Sequence, residues 1–395
     1  MSVNRQPISG FDKGFMFASE DGTRKINFIE LIGAGGTGLA YKCLLQDRGT
    51  EKYVVIKEYY PDESGIAPQY IRQNSDGKLI ITADNEEERE RELKRQKENV
   101  ERELEINHAL FLKNKNNNPY MYNAELFCTY GDSSYILIDT SEGCTLKSML
   151  NSKKYLDMDA KSKVIFAISY MRRFLVILNH LFSNEYVHGD LKPENIYIAG
   201  KDGAEHIYFL DFGSVFLLDE YKTDIEKISD KEKIEMADSI IRNEGVGASS
   251  EGYRNGNMIR LIFEKNNYHA MRGSVSSAEA LLKAINEIDI SVDLYSLIKI
   301  FYQMVTGEEY SNVVNRRKLK TLLGDSDIIL DDLLRIMQKN EEKGYFSVNE
   351  LLNELDILET ILNREGHPKV LLYGLKKGNK NIEFDERLFG EIIEK

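Results

Sequence analysis

The first residues whose types and spacing could do chemistry are a group of glycines followed by a lysine. Gly33, Gly35 and Gly38 form a G-x-G-x-x-G pattern, with Gly36 between them. Dinucleotide binding requires a helix to begin at the last glycine, whereas LAYKCLLQ and YVVIK are typical of strands, and Leu39 stands where a Walker loop has lysine. The stretch therefore predicts a glycine-rich hairpin, either a purely structural turn or a backbone that closes over phosphates. Lys57, at the end of the following strand, could reach nucleotide phosphates.

Two further motifs follow in the second half of the chain. They are Tyr186-Val187-His188-Gly189-Asp190-Leu191-Lys192-Pro193-Glu194-Asn195 and Leu210-Asp211-Phe212-Gly213. With the glycine pattern and Val54-Val55-Ile56-Lys57, four motifs in this order resemble a eukaryotic-type protein kinase. The run Lys57-Glu58-Tyr59-Tyr60-Pro61 resembles in particular the bacterial serine/threonine branch of that family. The resemblance covers roughly residues 25 to 362.

The resemblance assigns a role to each polar residue of these motifs. Phosphoryl transfer needs cations, metal ligands and one carboxylate near the acceptor hydroxyl. By the resemblance Asp190 orients and deprotonates the substrate hydroxyl, and Asn195 and Asp211 hold Mg²⁺, which prefers oxygen ligands. Lys57 would bind the α- and β-phosphates of ATP, and Lys192 the transferred phosphate. A lysine at this position is typical of serine/threonine enzymes and not of tyrosine kinases.

The same resemblance predicts a glutamate partner for Lys57 and an adenine pocket. Glu103 is preferred as the partner, because it places Val100, Ile106 and Leu110 toward the sheet, and Glu105 is the alternative. Choosing Glu103 puts Asn107 one turn later, where the family usually has an apolar residue. In the stretch that aligns with the hinge strand, Ile138 would be the gatekeeper, and the Asp139 carbonyl and the Ser141 N–H would bond adenine.

The elements that must position these residues follow from periodicity. Residues 15 to 81 show short β-branched and aromatic runs separated by turn signals. Residues 84 to 113 form a charged helix with an apolar stripe at Leu93, Val100, Leu104 and Phe111. After Gly143 the pattern is mostly helical. We expect an α+β, bilobal protein-kinase fold, with a small β-rich N-lobe that carries one long helix and a larger, mainly helical C-lobe. The segments are an N-terminal extension (1–24), the N-lobe (25–140), the C-lobe (141–364) and a C-terminal extension (365–395).

Three departures from the family bear on regulation and on substrate docking. Gly189 replaces the arginine that normally receives an activation-loop phosphate, so this protein should not need that switch. Asn255, Gly256 and Asn257 stand where Ala-Pro-Glu is expected, and Gly344 replaces the arginine that pairs with that glutamate. Residues 258–292 form an insertion, in which Ser276 to Glu279 predict a capping box and Ala278, Leu281, Leu282 and Ile285 one buried face. The insertion is either a surface addition or a platform for a substrate or partner.

Composition limits the cellular setting. The 395 residues include 65 acidic and 52 basic ones, a net charge of −13, which argues against nucleic-acid binding and against docking on anionic membranes. The three cysteines are scattered, which favours a reducing cytoplasm. The most apolar stretch, residues 164–182, carries Arg172 and Arg173 and is predicted to be a buried helix.

The function predicted from the sequence is that of a protein serine/threonine kinase that uses ATP and Mg²⁺ on a protein substrate and also phosphorylates itself. Two alternatives remain open. Small-molecule kinases also use His-Gly-Asp, and the missing Ala-Pro-Glu weakens peptide docking. A pseudokinase scaffold would have a damaged lysine, base or metal site, and none is damaged in this sequence.

Overall fold

A computed structural model describes most of the chain. The described residues are 7–8, 16–19, 21–34, 38–61, 69–73, 76–112, 122–200, 205–271, 273–309, 315–323, 328–364, 375–377 and 382–384. The chain divides into two compact units, the first made of residues 1–148 and 196–213, and the second of residues 149–195 and 214–395. Gly35 and Gly36, and the predicted C-terminal extension apart from two short strands, lie outside the described residues.

The first unit contains most of the strands. They are β1 (Met16–Ala18), β2 (Arg24–Ala34), β3 (Gly38–Asp47), β4 (Thr50–Tyr59), β5 (Gln69–Arg72), β6 (Leu79–Thr82), β7 (Ala124–Tyr130), β8 (Ser133–Ile138) and β9 (Gly143–Thr145), with the long helix α1 (Glu86–Leu112). Six of them form an antiparallel sheet in the order β1-β2-β3-β4-β8-β7, and β5 pairs with β6. Side chains of β3 alternate between buried and less buried positions, because successive residues of a strand point to opposite faces.

The second unit is mainly helical. Helix α2 (Leu146–Leu150) contains the boundary at residue 148, and then come α3 (Lys153–Leu156), α4 (Ala160–Phe182) and the strand β10 (Tyr186–Val187). Two strands return to the first unit, β11 (Ile196–Ala199) and β12 (His206–Phe209), and form a sheet with β9. The chain continues with β13 (Phe216–Leu217), α5 (Asp230–Arg242), α6 (Gly256–Ala270), α7 (Val275–Asn286), α8 (Ser291–Thr306), α9 (Arg316–Leu323), α10 (Ile328–Glu342), α11 (Val348–Arg364), β14 (Leu375–Lys377) and β15 (Ile382–Phe384). The predicted β-rich region followed by a helical region is confirmed.

Helix α4 is the one helix in the described part of the chain that is long and apolar enough to cross a membrane. In the structure 67% of its most apolar window is buried within the protein. Arg172 donates to Asp356 at 2.8 Å and to Glu359 at 2.6 Å, both on α11. These contacts explain how a buried helix tolerates an arginine, because a buried cation requires an anionic partner.

The face of α1 that is buried differs from the predicted apolar stripe. Of the four stripe residues, Val100 is buried, Leu93 and Leu104 are half-buried, and Phe111 is exposed. The buried positions are Glu92, Gln96, Val100, Glu103, Asn107 and Leu110. The predicted helix is confirmed, and its buried face combines Val100 and Leu110 with polar residues that form hydrogen bonds, such as Glu92 and Asn107.

Helices α5, α6 and α7 pack around a common apolar core. The predicted face of Ala278, Leu281, Leu282 and Ile285 is confirmed, since all four side chains are buried there. The predicted capping box is wrong, because α7 begins at Val275 with Ser274 as its N-cap residue, and Ser277 instead donates to the Ser274 carbonyl. The same core includes Val187 and Phe216 of β10 and β13. The insertion therefore shares its apolar core with Val187, the residue just before His188.

A buried ion pair connects the β5–β6 hairpin to the central sheet. Arg72 of β5 donates two hydrogen bonds to Glu58 of β4, at 2.7 and 2.6 Å, and Glu58 also accepts from the hydroxyls of Tyr41 and Tyr135. The Glu58 side chain is fully buried and that of Arg72 is 4% exposed. A further tyrosine, Tyr70, donates to Glu92 of α1. The hairpin thus joins the strand that carries Lys57 to the helix that carries Glu103.

We predict that Arg72→Met lowers the free energy of unfolding by about 3–5 kcal/mol, because the Glu58 carboxylate would stay buried without its cation. The matched control is Arg91→Met, which removes an exposed pair with Glu87 and should cost less than about 0.5 kcal/mol. Urea unfolding followed by circular dichroism measures both. Equal midpoint shifts for the two variants would show that the Arg72–Glu58 pair does not hold the sheet.

Candidate active site

Lys57 lies at the centre of a buried ionic cluster in the first unit. Its backbone pairs with Ala40 of β3 and Ile136 of β8, which fixes the side chain on one face of the sheet. The Lys57 Nζ donates to both carboxylate oxygens of Glu103, at 2.7 and 2.6 Å, and to Asp211 Oδ1 at 2.7 Å. Burial alone would lower the pKa of Lys57, but the two carboxylates raise it, so the ammonium remains charged.

The structure distinguishes the two glutamates that the sequence left open as partners of Lys57. Glu103 is buried against the lysine, whereas Glu105 is exposed on the other side of α1. Asn107, the polar residue one turn after Glu103, accepts a hydrogen bond from the Ala124 N–H at 3.0 Å. A backbone donor at the start of β7 therefore accounts for a polar side chain at this buried position.

Asp211 and the two residues that follow it are positioned by contacts within the first unit. Asp211 has a positive φ of 64°, a conformation that aspartate tolerates better than most residues. The Phe212 ring stacks on Tyr122 with centroids 5.6 Å apart, and Arg102 of α1 donates to the Gly213 carbonyl at 3.0 Å. These contacts hold the chain on both sides of Phe212. Sequence reasoning missed Tyr122 and Arg102, because nothing in their spacing distinguishes them from surface residues.

The glycine pattern and the predicted hinge also belong to the first unit. Gly33 lies near the end of β2 and Gly38 begins β3, where a Cβ would come within 2.1 Å of the Glu58 carbonyl oxygen. Ile138 is the buried last residue of β8. Asp139 donates its N–H to the Asn123 carbonyl and accepts from Lys52 at 2.8 Å, and the Ser141 carbonyl accepts from the Tyr197 hydroxyl. The adenine contacts of Asp139 and Ser141 stay predictions.

The second unit brings Asp190, Lys192 and Asn195 together. Lys192 Nζ lies 2.8 Å from Asp190 Oδ2, and the Asn195 amide nitrogen donates to the Asp190 carbonyl at 2.9 Å. Ser250, which belongs to none of the four motifs, completes the group. Its N–H donates to Asp190 Oδ1 at 2.6 Å and its hydroxyl lies 2.7 Å from Lys192 Nζ. The Asp190 carboxylate and the Ser250 hydroxyl therefore both lie within hydrogen-bond reach of the Lys192 ammonium.

Asp293 of α8 fixes the backbone just before Asp190. Its two carboxylate oxygens accept from the N–H groups of His188 at 2.8 Å and Gly189 at 2.9 Å. Burial raises the pKa of Asp293, and His188 and the two donors oppose that shift. The His188 carbonyl accepts from the Ser214 hydroxyl. His188 thus braces the loop through its backbone, in the position that its motif predicts.

The same helix holds the turn that follows Ser250. Ser296 donates to the Tyr253 carbonyl at 2.8 Å, Lys299 donates to the Gly252 carbonyl at 3.0 Å, and the Tyr253 hydroxyl donates to Gln303. At Asn255, where the family has Ala-Pro-Glu, the chain begins α6 instead, with the Asn255 side chain accepting from the Met258 N–H. A lone lysine in the apolar run SLIKIFYQM was a sequence signal for this contact, and it was overlooked.

Comparison with known proteins identifies the family. A profile of the protein kinase domain matches residues 70–274, which is 205 of the 395 residues. The chain belongs to the protein kinase domain family. The kinase is 33% identical over 135 residues to CDPK-related kinase 5 of Arabidopsis thaliana and 31% identical over 118 residues to the serine/threonine-protein kinase PKH2 of Saccharomyces cerevisiae. These matches cover 34% and 29% of this kinase, and only 20% and 10% of the relatives' lengths.

Two solved structures of kinase domains also align with the chain, at low sequence identity. A double mutant of the PknI kinase domain from Mycobacterium tuberculosis aligns at 14% identity and a TM-score of 0.45, covering 84% of this chain and 95% of that one. The Rad53 kinase domain with its SCD2 segment aligns at 16% identity and a TM-score of 0.41, covering 92% and 95%.

We predict that Glu103→Gln lowers kcat/KM by about 10–100-fold, or about 1.4–2.8 kcal/mol of transition-state stabilisation, because Lys57 loses an anionic partner that orients it. Glu105→Gln is the matched control, since it makes the same change on an exposed residue two positions away, and it should act like the wild type. Initial rates at varied ATP concentration measure both. A larger loss in Glu105→Gln than in Glu103→Gln would contradict the assignment.

A second prediction concerns Gly189. Its φ is 78°, and a Cβ there would lie 3.3 Å from the Ser214 carbonyl oxygen, 3.6 Å from Phe216 and 3.7 Å from Met258. This position carries no cation that could receive a phosphate, and the α5–α7 core already packs residues 214–258. We therefore expect that removing phosphate from the kinase lowers its initial rate by less than tenfold, or about 1.4 kcal/mol of transition-state stabilisation. Rates after phosphatase treatment, with mass spectrometry to verify removal and mock-treated enzyme as control, measure this. A lag that ends as phosphate returns would contradict it.

Proposed function

We propose that this kinase is a serine/threonine protein kinase of the bacterial branch, which transfers the γ-phosphate of Mg·ATP to a protein hydroxyl and also phosphorylates itself. The observation that carries the proposal is the buried contact of Lys57 with Glu103 and Asp211. Burying three charged groups costs desolvation energy, and apolar side chains would fill the same volume at lower cost in a protein that served only as a scaffold. The cluster therefore favours a working catalyst.

The roles follow from chemistry that the residues can support. Asp190 is proposed as the group that orients and deprotonates the acceptor hydroxyl, and Lys192 as the cation beside the transferred phosphate. Lys57 is proposed to bind the α- and β-phosphates. Preference for serine or threonine is supported by Lys192, two residues after Asp190, and by the similarity to the yeast serine/threonine-protein kinase PKH2.

The candidate metal ligands fit Mg²⁺ in their donor atoms. Asp211 would supply a carboxylate oxygen and Asn195 its amide Oδ1, since the Asn195 amide nitrogen already donates to Asp190. Mg²⁺ is usually held by one or two carboxylates together with substrate phosphates. When bound, the ion would neutralise phosphate charge.

The setting proposed for this activity is the cytoplasm, with a protein substrate and with neither nucleic acid nor a membrane as partner. Cys43, Cys128 and Cys144, all among the described residues, form no disulfide bond, which supports a reducing compartment. The acidic net charge of −13 supports the absence of polyanionic partners.

The test is phosphate incorporation with and without Mg·ATP, measured by mass spectrometry on the purified kinase and on added protein acceptors. Asp190→Asn should lower turnover by about 10²–10⁴-fold, because the hydroxyl loses its proton acceptor, while nucleotide binding by calorimetry stays intact. Asp157→Asn, an exposed aspartate of the same unit, is the control and should keep full activity.

Three outcomes would replace this proposal. Near wild-type transfer by Asp190→Asn would remove Asp190 from its role. Transfer to small hydroxyl compounds with none to protein would favour a small-molecule kinase. Absence of nucleotide binding and transfer in the wild type would favour a scaffold.

A further inference from the structure

A surface pocket lies in the segment between Gly213 and Ser250. It has a volume of about 340 Å³ and belongs wholly to the second unit. Its apolar lining comes from Tyr221, Ile228 and Met236, and its polar lining comes mainly from Glu220, Glu232 and Glu235. The pocket thus combines an apolar surface with three carboxylates.

The carboxylates of the pocket are poorly neutralised by the protein. Within the residues that the structure describes, Glu220 forms no ion pair, and Glu235 meets only Lys231 at 3.5 Å, an exposed contact. The nearby Lys233 is directed elsewhere, to Glu279 at 2.7 Å and Asp230 at 3.3 Å. The pocket is therefore a region of excess negative charge beside apolar surface.

The walls of the pocket are held in place by the surrounding fold. The Tyr221 hydroxyl accepts from Asn243 at 2.6 Å, and Thr223 exchanges two hydrogen bonds with the Asn286 side chain of α7. Glu232 is fixed by the capping box of α5, in which its carboxylate accepts from the N–H and the hydroxyl of Ser229. These hydrogen bonds lower the pKa of Glu232, so the group stays anionic. A pre-formed pocket loses less entropy when it binds a ligand.

The arrangement favours an organic cation over a metal ion. In the described part of the chain, no group of three or more His, Cys, Asp or Glu side chains is placed to hold a metal. The three glutamates of the pocket therefore do not form a three-ligand site for a metal ion. A lysine or arginine side chain fits better, because its aliphatic stem can cover apolar surface while its charged end meets carboxylates.

The position of the pocket in the chain connects it to the catalytic loop. Leu217, three residues before Glu220, pairs with Tyr186 of β10, which leads directly into His188 and Asp190. The other end of the same segment carries Ser250, whose N–H donates to Asp190. One continuous stretch of chain thus provides both the pocket and a direct contact to the candidate base.

We propose that this pocket binds a lysine or arginine side chain of the protein substrate and so selects substrates with a basic residue near the phosphorylated hydroxyl. The proposal rests on the proposed function, since it takes the ligand to be part of the substrate. Glu220 and Glu235 supply the charge, and Tyr221, Ile228 and Met236 cover the stem. Glu232 mainly caps α5 and is left unchanged in the test for that reason.

The first arm of the test is binding and does not depend on catalysis. The probe is a labelled peptide of alternating leucine and arginine around one serine, compared with its citrulline version, which has nearly the same shape without the charge. Fluorescence polarisation with the full-length kinase should give at least tenfold tighter binding of the arginine peptide, or about 1.4 kcal/mol. Glu220→Gln/Glu235→Gln should reduce that ratio to about twofold or less.

The matched control is Asp219→Asn/Glu226→Gln, which removes two exposed charges of the same segment that do not line the pocket. It changes the net charge equally and should keep the tenfold preference. Equal affinity of the wild type for the arginine and citrulline peptides would overturn the proposal. Equal affinity ratios in the two double variants would also overturn it, because they would show that the peptide is attracted only by the overall charge.

The second arm measures phosphorylation of peptides in which arginine or citrulline occupies each position around the serine. The wild type should prefer arginine at one position through a lower KM, and the pocket variant should lose that preference while its kcat on citrulline peptides is unchanged. Loss of kcat on every peptide would contradict a binding role. If the wild type phosphorylates no peptide and no protein, the proposed function fails, while the binding arm still decides whether the pocket takes a basic side chain.

Discussion

The second unit depends on a row of polar side chains along one face of the buried helix α8. Asp293, Ser296, Lys299 and Gln303 are separated by three, three and four residues, a spacing that places them on the same face. Asp293 binds the backbone just before Asp190, and the other three bind residues 252–253, just after Ser250. A single helix therefore holds the backbone on both sides of the hydrogen bond between Asp190 and Ser250.

This row has a physical cost that its contacts must offset. Lys299 is only 1% exposed, and burial lowers its pKa. The Gly252 carbonyl accepts from its ammonium, and the Tyr295 ring lies 4.6 Å from the same group. A carbonyl oxygen and an aromatic face both stabilise a cation away from water. Replacing the lysine by an apolar residue would remove the desolvation cost and also the contact that holds the turn.

Apolar packing orders the segment of residues 214–258 in this kinase. Residues 214–258 contribute Phe216, Leu218, Ala237, Ile240 and Met258 to the α5–α7 core. Each fully buried aliphatic or aromatic side chain contributes about 1.5–3 kcal/mol, whereas an exposed ion pair contributes about 0–1 kcal/mol. Several such side chains therefore order the segment more strongly than one added surface charge could. The absence of a cation at Gly189 is consistent with that balance.

The sequence was a good guide to elements whose residue types report the environment directly. The strands around Lys57, the helix containing Glu103 and the buried face of α7 follow from β-branched runs and apolar periodicity. The sequence was a poor guide where the buried side chains are polar. The buried side of α1 consists largely of Glu92, Gln96, Glu103 and Asn107, which look solvated in a sequence because their partners, such as the Ala124 N–H, are distant in the chain. Lys299 does stand out in its apolar run, but its partner, the Gly252 carbonyl, is 47 residues away in the chain.

The ionic cluster of the first unit explains why a polyphosphate would need a metal ion there. The Lys57 ammonium lies against two carboxylates, those of Glu103 and Asp211, so its positive charge is already offset without a ligand. A nucleotide that arrived alone would bring further negative charge toward the Asp211 carboxylate and would be repelled. A divalent cation held by the Asp211 carboxylate would offset that repulsion by supplying positive charge. The proposed dependence on Mg²⁺ thus follows from the charge count around Lys57 as well as from the donor atoms of Asp211 and Asn195.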